Sequence, residues 1–141
     1  MKKIAFILFL SFCSIHLYAK KHKVVGQQIS LFGVGISLSD SVIYITPIQT
    51  IPEATIDSKT GFLDNRAFYS MQLKNFLEGQ GVTNPICTTF FSTDKQKLNK
   101  KLGNVTKHYN RKFPQKLTYV HEGEFTYKVY TTSNSEERED E

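Results

Sequence analysis

Ile29-Ser30-Leu31-Phe32-Gly33-Val34-Gly35-Ile36-Ser37-Leu38, followed by Ser39-Asp40-Ser41 and Val42-Ile43-Tyr44-Ile45-Thr46, decides the fold class. Apolar residues alternate with small or polar ones over 29–31 and again over 34–38, the pattern of strands with one buried face. The phase slips between Leu31 and Phe32, beside Gly33, which predicts a bulge or a bend there. Ser39-Asp40-Ser41 has turn chemistry, and Val42 to Thr46 is rich in β-branched residues. The stretch therefore reads as a β-hairpin.

Downstream, Pro47 and Pro52 limit how far the second strand stays paired, and 53–61 reads as a connection turning at Asp57-Ser58-Lys59-Thr60-Gly61. From about Asn65 to Glu78, Tyr69, Leu73, Phe76 and Leu77 fall on one helical face, with Gly79 or Gly81 as the stop. Pro85-Ile86-Cys87-Thr88-Thr89-Phe90-Phe91 is strand-like. A second helix opens at Thr93-Asp94-Lys95-Gln96, a capping-box pattern, carries Leu98, Leu102, Val105 and Tyr109 in one stripe, and closes at Pro114. Gly103 weakens that helix by up to about 1 kcal/mol relative to alanine, which implies a close neighbour. Leu117 to His121 and Phe125 to Tyr130 read as a terminal hairpin turning at Glu122-Gly123.

The order ββαβαβ, or ββαβαββ with that hairpin, implies an α+β fold. The expected form is a two-layer sandwich, one mixed sheet of about four or five strands with two helices on one face. The step from Tyr44 through the first helix to Phe90 would make those strands parallel neighbours, with a right-handed crossover.

Upstream, Lys2 and Lys3 precede the apolar run Ile4 to Cys13, and Leu17-Tyr18-Ala19 leads into Lys20. This is the layout of a bacterial secretory signal peptide cleaved after Ala19, and the run is short for a membrane span of about 20 residues. The implied organisation is a signal at 1–19, a domain at 20–131 and a disordered acidic tail at 132–141. The expected location is periplasmic or extracellular, associated with the cell envelope.

Removing the signal leaves Cys87 as the only cysteine, which excludes an intramolecular disulfide. Apolar residues at 40% and aromatics at 13% suffice for a core without metal or disulfide support. The remaining chain has 16 basic and 13 acidic residues, unevenly placed. Glu136-Glu137-Arg138-Glu139-Asp140-Glu141 carries −4, against +7 for 20–135.

No acid interrupts the run from Lys95 to Lys116. Lys97, Lys100, Lys101, Lys107 and Arg111 are therefore the candidate contacts for an anionic envelope component or protein partner. Export and the absence of base-reading residues beside these lysines argue against nucleic acid. A thiol enzyme would need Cys87 activated by His22, His108 or His121, and no nucleophile motif surrounds it. The scattered histidines lack metal-ligand spacing, and Gly26, Gly33 and Gly35 form no nucleotide fingerprint. The carboxylates fall mostly in turns or at helix ends, where capping suffices. No catalytic, metal or cofactor residues are thus assigned. The expectation is a non-enzymatic binding module, with an envelope hydrolase or thiol enzyme, or a structural subunit joined through an exposed strand, as alternatives.

Overall fold

Strand content begins with β1 (Lys23–Val24), β2 (Ile29–Ile36), β3 (Ile43–Ile45), β4 (Gln49–Ile51) and β5 (Ile56–Asp57). Helix α1 (Arg66–Gly79), β6 (Ile86–Ser92), helix α2 (Lys95–Lys112) and β7 (Leu117–Tyr119) follow. These elements come from a computed structural model of the chain, which describes residues 23, 24, 28–114 and 116–129. The expected signal at 1–19 and acidic tail at 132–141 lie outside the described residues.

The main sheet is mixed and open, with strands in the order β6-β2-β3-β7 and β4 continuing beyond β3 along β2. Only the β3/β7 pair is parallel. Central β2 is buried along nearly its whole length, and its two faces meet different partners. Ile29 and Leu31 pack with Tyr69, Leu73 and Leu77 of α1. Phe32 and Val34 pack with Ile43, Ile45 and Leu98 of α2.

This double coverage explains the slipped phase at Leu31-Phe32, because a strand covered on both faces reads as a continuous apolar run. β2 itself has no bulge: its register with β6 runs unbroken from Ser30↔Ser92 to Ile36↔Ile86. The irregularity lies on the facing strand. Val34 pairs with Ile45 and Leu31 with Gln49, so Thr46, Pro47 and Ile48 oppose only Phe32 and Gly33. There the Gly33 N–H donates to Thr46 Oγ1 at 2.8 Å, and the Thr46 N–H donates to the Gly33 carbonyl at 3.0 Å. Pro47, which has no N–H to give, occupies the bulge.

The α+β class and mixed sheet hold, but the helices lie on opposite faces rather than on one. The connection from β3 to β6 passes over β2 in one direction, and that from β6 to β7 returns in the other. Two crossovers of the same hand running in opposite directions leave their helices on opposite sides. The expected parallel neighbours also change. β6 pairs with β2, antiparallel, and the strand beside β3 is β7.

Helix α1 ends where Gly81, at φ +87°, donates to the Glu78 carbonyl at 2.9 Å and Val82 to that of Leu77 at 3.0 Å. Helix α2 is capped by Asp94 instead of Thr93. Asp94 Oδ1 accepts the N–H groups of Gln96 at 2.9 Å and Lys97 at 3.1 Å, a role a carboxylate fills well against the helix dipole. A Cβ at Gly103 would meet nothing within 4 Å, so no close neighbour accounts for that glycine.

The terminal hairpin does not form among the described residues. After β7 the chain turns at Gly123, φ +91°, and 125–129 crosses the α1 side of the sheet as a strap outside the strands. Phe125 and Tyr127 are buried in the α1 core, so packing accounts for these aromatics, whereas Tyr119 stays exposed. Two glutamine amides replace a neighbouring strand. Gln49 Nε2 donates to the Phe125 carbonyl and its Oε1 accepts the Tyr127 N–H, both at 2.9 Å. Gln72 repeats the arrangement on the carbonyl and N–H of Lys128, at 2.9 and 2.7 Å.

Candidate functional site

Strand β6 forms one margin of the sheet: among the described residues it pairs only with β2, so its outer backbone groups face away from the ladder. The start of α1 lies on one side of this margin and the start of α2 on the other. Between them is a cleft of about 440 Å³, floored by Thr88 to Ser92 and flanked by Arg66, Lys97 and Lys101.

Aromatic rings brace two of these cations. Lys101 Nζ lies 5.4 Å from the centroid of Phe90, and Arg66 Cζ lies 5.2 Å from that of Phe62. Phe90 is itself stacked on Phe32 across the β2/β6 pair at 5.0 Å. This arrangement holds positive charge beside an open strand edge. The nearest acid is the cap: Asp94 Oδ2 lies 3.9 Å from Lys97 Nζ, but Asp94 already holds two backbone N–H groups.

The structure divides the five candidate cations. All are exposed, and only Lys97 lies within salt-bridge distance of a carboxylate among the described residues. The apolar stripe of buried Leu98 and half-buried Leu102, Val105 and Tyr109 fixes the orientation of α2. At about 100° per residue, Lys100, Lys107 and Arg111 fall on the side opposite that stripe, facing solvent. Lys97 and Lys101 fall on the flank toward β6 and enter the cleft. The third cleft cation, Arg66, escapes sequence reading because it belongs to another helix, and only the sheet joins the two. Asn65-Arg66 at the start of an amphipathic helix carries no signal of its own.

Cys87 is half-buried, in surroundings unlike those of an activated thiol. Its side chain packs against the α1 core, and its Sγ lies 3.3 Å from where a Cβ on Gly35 would stand. Burial pushes the thiol up from 9.0 to about 11; Lys74 lowers it and Glu78 raises it, both by less. An activated thiol is shifted the other way. Alkylation of Cys87 by iodoacetamide near pH 8 is therefore expected to run about 10- to 100-fold slower in the folded chain than in urea, where the thiolate is more populated. Equal rates would place the thiol in solvent.

No family model, curated protein or solved structure matches this chain. The site's chemistry rests on its own residues. No helix among the described residues is long and apolar enough to cross a membrane.

Proposed function

We propose that this protein is an exported, non-enzymatic binding module of the bacterial envelope that holds an anionic partner in the cleft between α1 and α2. The observation that carries the reading is the convergence of Arg66, Lys97 and Lys101, from two helices on opposite faces, on one open strand edge. Export is supported by the lysine-led apolar run ending at Ala19, which would place the folded body in the periplasm or outside the cell. Lys100, Lys107 and Arg111 add a long-range positive field that attracts an anion without fixing it.

The test is binding of the chain from Lys20 to Glu141 to phosphatidylglycerol vesicles and, separately, to soluble poly-glutamate. The two arms distinguish a lipid headgroup from an acidic polymer. Retention is expected to fall with rising salt, and Lys97→Gln with Lys101→Gln to weaken it about 30-fold at low salt, since each cation near an anionic surface contributes about 1 kcal/mol. Retention indifferent to both salt and substitution would reject the reading.

A further inference from the structure

Which anion is nearest to this cleft follows from the path of the strap. Phe125 stacks beside Phe76 at 5.0 Å, Lys128 is held by Gln72, and Tyr127 meets Tyr69 at 6.2 Å. Between Phe125 and the pair Tyr127-Lys128 the strap's partners on α1 move back from Phe76 to Tyr69 and Gln72, so the chain lies nearer the N-terminal end of the helix. Arg66 stands there, on the cleft. From Gln72 to Arg66 is about 9 Å along the helix axis. The seven residue-to-residue steps from Val129 to Glu136 span up to about 24 Å, more than enough to reach the cleft.

We infer that the acidic segment Glu136–Glu141 of this same chain occupies the cleft, laid in extended form along the open edge of β6. The inference rests on the proposed anion-binding role of the cleft and names the competitor any external partner must displace. Its charge fits: the segment carries −4 and the cleft three cations. In an extended chain Glu137, Glu139 and Glu141 share one side, while Glu136 and Asp140 share the other with Arg138. The all-acidic side suits Lys97 and Lys101, and the mixed side suits the lone Arg66. The outer edge of β6, which has no strand partner among the described residues, supplies main-chain partners to an added strand. A second copy pairing edge to edge would instead bring two sets of these cations together.

The test compares the chain from Lys20 to Glu141 with a variant carrying Glu136→Gln, Glu137→Gln, Glu139→Gln, Asp140→Asn and Glu141→Gln. Both described cores lie within 29–129, so these changes leave the packed interior untouched. Amide NMR shifts at Arg66, Thr88 to Ser92, Lys97 and Lys101 are expected to differ between the two at low salt and to converge at high salt. Spectra that coincide outside 136–141 would overturn the inference. The variant is also expected to bind poly-glutamate at least about tenfold more tightly, because a tethered competitor acts at millimolar effective concentration. Equal affinities would overturn the inference while leaving the anion-binding reading intact. Shift differences without binding of either chain to poly-glutamate or to phosphatidylglycerol vesicles would uphold tail docking and reject the external partner.

Discussion

Phe32→Ala is expected to destabilise the fold by about 3–5 kcal/mol, a large part of the roughly 5–15 kcal/mol that holds a domain of this size together. Phe32 is fully buried at the centre of β2, stacked on Phe90 and packed with Val34, Ile43, Ile45 and Leu98. Leu73→Ala, a fully buried change on the opposite face, is expected to cost about 2–5 kcal/mol. The two cores share no residue, so the two losses should add to within about 0.5 kcal/mol in urea unfolding, provided the double variant still folds. Strong coupling between the two sites would contradict a sheet covered on both faces.

The second large effect is expected at the strap. Gln49→Ala removes both hydrogen bonds to Phe125 and Tyr127 and leaves a partly buried carbonyl and N–H without partners, at a cost of about 2–4 kcal/mol. Gln72→Ala breaks the same pattern at Lys128, but in an exposed position where water replaces the amide. Its cost should stay below about 1 kcal/mol. Hydrogen exchange at Tyr127 reads the difference directly: protection lost with Gln49→Ala and retained with Gln72→Ala. Equal effects of the two changes would mean that apolar packing, and not the Gln49 clamp, holds the strap.

Much of this architecture is legible in local pattern. The helical stripes of Tyr69, Leu73 and Leu77 and of Leu98, Leu102, Val105 and Tyr109 locate both helices, because 3.6-residue periodicity is a property of neighbouring residues. The turn at Asp57 is equally local, with its carboxylate accepting the N–H groups of Lys59 and Thr60. What escapes is decided by the sheet. Alternation in Val34 to Leu38 suggests one buried face, yet Gly33 and Gly35 lie beneath Leu73, Leu77 and Tyr127, so the small residues mark a second packed surface. The side on which each helix lies depends on the order β6-β2-β3-β7, which no local pattern specifies. The strap escapes for a related reason: Phe125 and Tyr127 alternate as a strand does, but their backbone partner is the side chain of Gln49, and Gln72 holds Lys128 in the same way.

The same division applies to the site. The basic run of α2 is plain in the sequence, and all five candidate cations are exposed. Which of them belong together is not plain, since a bare run of lysines does not reveal that Lys97 and Lys101 share a cleft with Arg66. The central claim is that a defined cleft, and not diffuse charge on α2, holds the anion. It is tested most directly by comparing poly-glutamate affinity at low salt for Arg66→Gln and Lys107→Gln, each removing one positive charge. The account predicts a clear loss for Arg66→Gln and little change for Lys107→Gln, which points away from the cleft; equal losses would contradict it.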